Sequence, residues 1–295
     1  MTELYFCGTP HFAQIVLQEL IEGEKDIGTY KIAGVFTKKG SLVETLARHH
    51  HLACATPKNK TELTNSVKSS ALRDSIFIVS AYGIIFPKEV LDYPKLGCFN
   101  IHGSLLPEYR GASPIQKALL DGKKRTGVTV ILMDEGVDTG KIAAQAEVAI
   151  GPRDTYPTLS ENIAHLGARL VQETLLAPLP HRLQLVKQEG PPTLAPPIKK
   201  EDGFVTASEI TAKPQQIVRK LAAFTPWPGV YATVGQLIEA YSPAPVTPLT
   251  PSKDKKVKIL GAALDPSGKL AISKLQLEGK KPISWQEFEN GYLKM

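Results

Sequence analysis

Short apolar segments alternate with amphipathic ones throughout the first half of the chain. Residues 4–7 and 76–81 are nearly continuous apolar runs of strand length, which is typical of strands buried on both faces. Strands are predicted at residues 4–7, 32–37, 76–81, 99–102 and 128–133, with helices after Pro10, at 42–50 and at 114–120. Alternation of strands with helices predicts an α/β domain built on a parallel-rich sheet.

The first predicted helix has a recognisable start. Gly8-Thr9-Pro10 follows the first strand, with Thr9 expected as the N-cap and Pro10 at the first helical position. One face of this helix is apolar and comprises Phe12, Ile15, Val16, Leu20 and Ile21. The turn before the helix lacks a Gly-x-Gly-x-x-Gly sequence, which disfavours a nicotinamide-dependent dehydrogenase.

Prolines become frequent after residue 176. The prolines of this stretch are Pro178, Pro180, Pro191, Pro192, Pro196 and Pro197. Because proline interrupts both helices and central strands, an extended, semi-rigid linker is predicted at residues 187–202.

The remainder of the chain reads as a second, smaller domain. A helix is predicted at residues 214–224, and strands at 229–234, 257–263 and 269–277. Short strands separated by Gly/Pro turns predict a small β-barrel. The expected organisation is therefore a first domain at residues 1–186, the linker, and a second domain at residues 203–295.

Composition is that of a soluble globular protein. The 295 residues include 42% hydrophobic and 22% charged side chains. No apolar run approaches the roughly 20 residues that cross a bilayer, and the N-terminal segment lacks the features of a secretory signal. Cys7, Cys54 and Cys98 are expected to be buried thiols, not a disulfide or a metal site. These features predict a cytoplasmic protein without membrane contact, and nothing in them requires more than a monomer.

Positive charge is concentrated in the second predicted domain. The chain carries a net charge of +6, and residues 199–295 hold 14 basic against 9 acidic side chains, a net +5. The first 198 residues hold 21 against 20. This distribution fits a polyanionic partner approached electrostatically, and equally a basic surface that binds only solvent.

Three polar residues lie at the ends of predicted strands. Asn100 and His102 are two positions apart on one strand, so both side chains leave the same face of the sheet. Asp138 lies in a Gly-rich turn after another strand, where it could equally be a turn former. Ligands of open α/β sheets bind beyond the carboxyl ends of the strands. An amide, an imidazole and a carboxylate brought together there could polarise a substrate and move a proton.

Longer motifs around these residues resemble a known family. The two segments are Asn100-Ile101-His102-Gly103-Ser104-Leu105-Leu106-Pro107 and Tyr109-Arg110-Gly111-Ala112-Ser113-Pro114-Ile115-Gln116. They are similar to the signature of the folate-dependent formyltransferases, and Asp138-Thr139-Gly140 matches the third catalytic position of that family. Further similarity lies at Gly8-Thr9-Pro10-His11-Phe12-Ala13, Gly127-Val128-Thr129, Lys200-Glu201-Asp202-Gly203 and Ala223-Phe224-Thr225-Pro226-Trp227-Pro228. The resemblance covers most of the chain.

The resemblance implies a Rossmann-like formyltransferase domain followed by an OB-like barrel, with 10-formyltetrahydrofolate as formyl donor and no metal. It implies that Asn100 and protonated His102 donate hydrogen bonds to the formyl oxygen. Asp138 is expected to stabilise the imidazolium and to help remove the proton of the attacking amine. The folate-binding residues that carry over are Ser104, Leu105, Leu106, Pro107, Tyr82, Gly83, Ile84, Ile85 and Phe86.

The similarity is greatest to family members that formylate methionyl initiator tRNA for translation initiation, so this acceptor is expected. The side chains expected to contact tRNA are Lys38, Lys39, Arg110, Lys253, Lys255, Lys256 and Lys258. Members that act on tRNA usually carry a longer basic loop after the second strand. Here residues 36–42 lead almost directly into the next helix, and Lys38 and Lys39 are the basic residues left in that loop.

Two alternatives remain open on sequence. The same catalytic trio would serve an enzyme that formylates another amine, such as an amino sugar nucleotide or glycinamide ribonucleotide. The basic second domain favours tRNA, and the short loop after Thr37 is the point against it. A catalytically idle RNA-binding protein of the same fold is a different class of answer, which the intact Asn100, His102 and Asp138 disfavour.

Overall fold

The chain forms two compact units. The computed structural model describes residues 1–69, 74–177, 183–242 and 253–293. The first unit comprises Met1–Pro114, Lys124–Ile150 and Thr158–Ala195, and the second comprises Ile115–Lys123, Gly151–Pro157 and Pro196–Met295. The predicted division into residues 1–186, 187–202 and 203–295 stays a prediction.

The first half of the chain alternates strands and helices as predicted. Its elements are β1 (Thr2–Gly8), α1 (His11–Ile27), β2 (Tyr30–Phe36), α2 (Leu42–His49), β3 (Cys54–Ala55), α3 (Lys60–Lys68), β4 (Ser75–Ser80), α4 (Lys88–Leu91), β5 (Cys98–His102), α5 (Pro114–Leu120), β6 (Arg125–Leu132), β7 (Lys141–Ala149) and α6 (Tyr156–Val171). The predicted strands correspond to β1, β2, β4, β5 and β6, while β3, β7, α3, α4 and α6 were not predicted.

The strands form one seven-stranded sheet in the order β3-β2-β1-β4-β5-β6-β7. Neighbours from β3 to β5 pair in parallel, whereas β6 pairs antiparallel with both β5 and β7. The predicted parallel-rich sheet is confirmed, with an antiparallel edge. Every residue of β4 is buried, as expected for a central parallel strand covered on both faces.

The start of α1 differs from the prediction. Pro10 occupies the N-cap position without a side-chain cap, and the helix begins at His11. The hydroxyl of Thr9 instead donates to the carbonyl of Tyr82, at 3.2 Å. The predicted N-cap at Thr9 is therefore wrong, because its side chain bonds to the loop after β4.

The apolar core of the first unit includes two of the three cysteines. Cys7 and Cys98 lie with Phe36, Leu63 and Phe77 in one buried cluster. Burial raises the pKa of the Cys98 thiol to about 12 and raises that of Cys7 well above its usual value. Both groups are therefore protonated thiols at neutral pH, as the apolar surroundings in the sequence predicted.

The second unit is built on an antiparallel sheet. Its elements are α7 (Ala207–Ala212), α8 (Pro214–Phe224), β8 (Val230–Thr233), α9 (Val234–Tyr241), β9 (Lys256–Leu264), β10 (Leu270–Leu277), β11 (Ile283–Ser284) and α10 (Trp285–Phe288). The strand order is β11-β10-β9-β8. Within residues 183–242 and 253–293, no pairing joins β11 to β8, so the closed OB-like barrel stays a prediction.

The segment predicted as a linker, residues 187–202, is hydrogen-bonded within the first unit over its first part, and a short 3₁₀ helix begins at its end (Lys200–Gly203). Val186 and Ile142 exchange two backbone hydrogen bonds of 2.8 and 2.9 Å. Thr193 and Ala195 bond to the backbone of the segment from Pro107 to Ser113. Pro178 and Pro180, which were assigned to the same stretch, lie outside the described residues. In the part of the chain that is described, no helix is both long and apolar enough to span a bilayer.

Candidate active site

The end of β5 presents two polar side chains on one face of the sheet. Asn100 and His102 alternate with Ile101 along this strand, which lies between parallel β4 and antiparallel β6. Asn100 pairs with Val79 on β4, and His102 with Thr129 on β6. Both residues are thus fixed by a strand hydrogen-bonded on two sides.

Asp138 meets both of these side chains. Asn100 Nδ2 lies 3.4 Å from Asp138 Oδ1, and His102 Nδ1 lies 3.5 Å from Asp138 Oδ2. His102 is 5% exposed, and the side chain of Asp138 is 15% exposed. The three residues selected from sequence therefore lie together, and part of the Asp138 side chain is open to solvent.

The hydrogen bond of the second ring nitrogen of His102 shows which nitrogen carries a proton. Nε2 lies 2.9 Å from the carbonyl oxygen of Tyr109, which can only accept a hydrogen bond. Nε2 is therefore protonated, and Nδ1 is the nitrogen that faces Asp138. When Nδ1 also binds a proton, it points a donor toward the carboxylate and the open space beside it.

Several backbone groups fix the turn that carries Asp138. Asp138 adopts φ +52°, a left-handed conformation that is unusual for a residue other than glycine. The Gly111 N–H donates to Asp138 Oδ2 at 2.8 Å. The side-chain amide of Gln188 donates to the carbonyls of Asp138 and Gly140, at 2.8 and 2.9 Å. The carboxylate is thus held by Gly111 and the backbone of the turn by Gln188, both from distant parts of the chain.

Sequence reasoning missed Gln188. This residue falls in the Pro-containing segment read as a linker, and nothing in its neighbourhood indicates a partner 50 residues away. Tyr109 and Gly111 belong to the family signature, but their roles toward His102 and Asp138 follow only from the structure.

A small cavity of about 140 Å³ adjoins Asn100 and Asp138. Its lining residues are Ile84, Ile85, Phe86, Asn100, Ile131, Met133, Asp134, Glu135, Gly136, Val137 and Asp138. Ile85 and Val137 are 63% and 61% exposed, which is high for large aliphatic side chains. The cavity thus combines polar side chains, Asn100 and Asp138 among them, with an apolar wall and rim.

The residues predicted to bind folate separate into two groups. Ile84, Ile85 and Phe86 line the cavity, whereas Tyr82, Gly83 and the segment Ser104, Leu105, Leu106 and Pro107 do not. Ser104 Oγ donates to the Glu108 carbonyl at 2.5 Å, and the Leu106 N–H donates to Thr129 Oγ1 at 3.1 Å. The Ser104 hydroxyl and the Leu106 N–H are therefore hydrogen-bonded within the protein, and the folate contact of this segment stays a prediction.

The basic residues predicted for tRNA contact also differ in their surroundings. Lys38 and Lys39 are exposed in the loop after β2. The guanidinium of Arg110 instead donates twice to Gln188 Oε1, from Nε at 3.1 Å and from Nη2 at 2.7 Å. Two of the donors expected to meet a phosphate are therefore used inside the first unit.

The second unit contains a larger cavity of about 420 Å³, here called the basic groove. Its lining residues are Lys200, Trp227, Pro228, Tyr231, Lys256, Lys258, Gln276, Leu277, Glu278 and Gly279. Trp227 is 57% exposed, and Lys256 Nζ lies 5.7 Å from the centre of the Tyr231 ring. Of the predicted lysines, Lys256 and Lys258 line this groove, and Lys253 and Lys255 lie outside its lining.

Candidate metal ligands do not cluster among the residues described in either unit. No group of three or more His, Cys, Asp or Glu side chains is arranged there to hold a metal ion. The polar side chains that line the small cavity are those of Asn100, Asp134, Glu135 and Asp138.

Comparisons with known proteins cover both units. Residues 4–175 match the family model "Formyl transferase", and residues 197–293 match "Formyl transferase, C-terminal domain". Methionyl-tRNA formyltransferase from Geobacter sulfurreducens is 35% identical over 299 residues, which covers 98% of this chain and 93% of that protein.

Two solved structures share the fold at lower identity. Methionyl-tRNA formyltransferase from Clostridium thermocellum is 18% identical, with a TM-score of 0.62 over 94% of this chain and 99% of that one. An N-formyltransferase from Helicobacter canadensis, in complex with folinic acid and dTDP-3-aminofucose, is 19% identical, with a TM-score of 0.59 over 90% and 88%. With both domains matched and a full-length relative above 30% identity, this chain is a formyl-transferring enzyme that belongs to the formyl transferase family.

Proposed function

We propose that this enzyme transfers the formyl group of 10-formyltetrahydrofolate to the α-amine of methionyl initiator tRNA, for translation initiation. The observation that carries the proposal is the convergence of Asn100, His102 and Asp138 on one space. The acceptor is supported by relatives named methionyl-tRNA formyltransferase that match 98% of the chain.

Two hydrogen-bond donors face the space where the formyl oxygen would develop negative charge. They are Asn100 Nδ2 and, when protonated, His102 Nδ1, each within 3.5 Å of the Asp138 carboxylate that borders the same space. Because Nε2 is bonded to the Tyr109 carbonyl, Nδ1 is the only imidazole nitrogen available for this role. Such a preorganised donor contributes about 10²–10³-fold to turnover.

Asp138 is the group placed to accept the proton of the attacking amine, directly or through water. As the new C–N bond forms between the amine and the formyl carbon, the amine loses one proton, which Asp138 receives. The bond between the formyl carbon and the folate nitrogen breaks, and that nitrogen takes up one proton. Proton transfer of this kind contributes about 10²–10⁴-fold, and the negative charge of Asp138 also stabilises the imidazolium of His102.

The small cavity fits the pterin end of a folate. A flat heterocycle needs apolar surfaces on its faces and polar groups at its edge. Ile84, Ile85, Phe86 and Val137 supply apolar surface, and the cavity opens onto Asn100 and Asp138 at its polar end. Binding there would cover the exposed side chains of Ile85 and Val137.

Replacing the two rim residues should weaken folate binding without slowing the bound reaction. We expect Ile85→Ser and Val137→Ser each to raise the Kd for folinic acid about fivefold to tenfold, because part of a large aliphatic side chain is no longer removed from water. Titration calorimetry with folinic acid measures this directly. Leu96→Ser, at an exposed leucine outside the cavity, is the matched control. Equal affinity in all four proteins would place the folate elsewhere.

The basic groove is proposed to contact the tRNA backbone. Lys256 and Lys258 lie on alternate positions of β9, both exposed, with the indole of Trp227 along the same groove. Alternating lysines beside an exposed aromatic ring are typical of nucleic-acid surfaces that bind phosphates and stack bases. Lys38, Lys39, Lys253 and Lys255 remain proposed as secondary contacts outside this groove.

Charge reversal in the basic groove should weaken tRNA binding in a salt-dependent way. We expect Lys256→Glu and Lys258→Glu each to lower affinity and to reduce the slope of log K against log salt by about one. Fluorescence anisotropy with initiator tRNA at several salt concentrations measures both quantities. Lys269→Glu and Lys274→Glu change the same charge outside the groove and serve as controls. Identical slopes of log K against log salt for both pairs of variants would show that the basic groove does not contact tRNA.

A different amine acceptor is the second candidate. It is supported by the Helicobacter canadensis N-formyltransferase, which shares the fold along most of this chain and binds an amino sugar nucleotide. The alternative uses the same trio, so only an acceptor comparison separates it from tRNA. The OB-like barrel, the cytoplasmic location and the monomeric state also remain proposals.

A further inference from the structure

The side chain of Gln188 connects the two backbone segments that orient His102 and Asp138. Its Nε2 donates to the carbonyls of Asp138 and Gly140, and its Oε1 accepts two hydrogen bonds from Arg110. All four contacts lie between 2.7 and 3.1 Å. Both donors and both acceptor positions of this one amide group are therefore occupied by partners from the two segments.

Arg110 lies between the two residues whose backbone groups hold the trio. Tyr109 before it offers the carbonyl bonded to His102 Nε2, and Gly111 after it offers the N–H bonded to Asp138 Oδ2. Holding the Arg110 side chain therefore restrains the backbone on both sides. Through Gln188, this segment is tied to the turn that carries Asp138.

The turn itself needs such a restraint. Asp138 has a φ of +52°, and this left-handed conformation is unfavourable for a side chain with a Cβ unless neighbouring contacts hold it. On the other side of the turn, Asp134 Oδ1 accepts from the Gly136 N–H and from Thr139 Oγ1. Gln188 supplies the two bonds to the carbonyls of Asp138 and Gly140.

The segment carrying Gln188 is anchored close to it on both sides. Val186 forms a reciprocal pair with Ile142 on β7, and Thr193 and Ala195 bond to the backbone around Arg110. The amide of Gln188 therefore acts from a fixed support. It does not touch the space between the three polar side chains.

We propose that Gln188 is a positioning residue, held by Arg110, that sets the orientation of Asp138 relative to His102. This inference rests on the proposed function only in assigning Asp138 its role in proton transfer. A misplacement of about 1 Å can lower turnover by about 100-fold. The amide is required because its donors face two carbonyl oxygens, whereas a carboxylate there would place acceptors against acceptors.

Gln188→Glu is the sharpest variant, because it keeps the size of the side chain and the acceptor for Arg110 while it replaces the two donors by an acceptor that carries a negative charge. We expect kcat to fall between about 10- and 100-fold, with KM for both substrates within about twofold. Gln172→Glu is the matched control, since Gln172 is buried and its Nε2 donates to the Glu19 carbonyl within α1 at 2.8 Å. The control should lower the Tm while leaving kcat unchanged well below that temperature.

A double-mutant cycle tests whether Gln188 acts through Asp138. In the Asp138→Asn background, the Gln188→Glu change should lower kcat by less than about threefold, because the group it positions no longer accepts a proton. Full additivity of the two losses would overturn the proposal, and so would a Gln188→Glu enzyme with the kcat of wild type. If Gln188→Glu is too unstable to assay, kcat is measured for Gln188→Asn instead, whose shorter side chain carries the same amide. An inactive wild-type enzyme would instead contradict the proposed function. The positioning role would then be tested by the Tm comparison and by a crystal structure of Gln188→Glu. An Asp138 side chain in its wild-type position in that structure would refute the positioning role.

Discussion

The Asp138→Asn enzyme should lose about a thousandfold in kcat, within the range of general base catalysis, and keep its fold. The amide oxygen of Asn can still accept the Gly111 N–H that now bonds to Asp138 Oδ2 at 2.8 Å. What disappears is the negative charge 3.5 Å from His102 Nδ1 and the acceptor for the amine proton. A thousandfold loss corresponds to about 4 kcal/mol of transition-state stabilisation.

Steady-state kinetics with both substrates and a thermal melt measure this result. KM should stay within a few-fold, because Asp138 borders the small cavity proposed to bind folate without supplying its apolar wall. Glu147→Gln removes a carboxylate from β7, away from the cavity, and should match wild type. A folded Asp138→Asn enzyme with more than a third of wild-type kcat would exclude Asp138 as the proton acceptor.

The second large effect is expected at His102, where the choice of replacement decides what is tested. His102→Ala would remove the hydrogen bond that Nε2 donates to the buried Tyr109 carbonyl, which costs about 0.5–1.5 kcal/mol of stability. His102→Gln places an amide that can donate to the same carbonyl, so it preserves that contact. It removes the second donor, the Nδ1–H that faces the Asp138 carboxylate.

We expect His102→Gln to lower kcat by about 10²–10³-fold with a Tm close to that of wild type. His102→Ala should show a similar kcat and a lower Tm. Rapid-quench measurement of a single turnover separates this chemical loss from slow product release. Wild-type single-turnover rates in the Gln variant would show that the imidazole does no more than bond to Tyr109.

The parts of the fold with strong local patterns were predictable. β4 is apolar at its four central positions and buried at every position, and α8 begins at Pro214 where the sequence predicts it. By contrast, α3 buries only Leu63 and Val67, too few to produce a helical stripe. β7 carries mostly half-buried and exposed side chains. The antiparallel direction of β6 depends on its neighbours in the sheet, and its own apolar pattern does not encode it.

The site shows the same division between local and distant information. Asn100 and His102 share a face because strand geometry alone dictates it, and Asp138 was selected because its turn follows a strand and fits the family signature. Arg110 carries a charge that predicts a phosphate contact, but its partner is Gln188, 78 residues away. Ser104 and Leu106 are buried and form hydrogen bonds within the protein, which their motif does not reveal. Contacts that depend on chain segments meeting in space could not be predicted from spacing.

Acceptor choice is the most direct test of the central claim. Purified enzyme is supplied with 10-formyltetrahydrofolate and, in parallel, charged methionyl initiator tRNA, uncharged initiator tRNA, free methionine or an amino sugar nucleotide. Formyl transfer is followed by the appearance of formylmethionine after tRNA hydrolysis and by mass spectrometry of the small amines. The proposed function predicts rapid transfer to charged methionyl initiator tRNA alone, lost in the Asp138→Asn enzyme. Transfer confined to the amino sugar nucleotide, or folate binding without transfer to any acceptor, would contradict it.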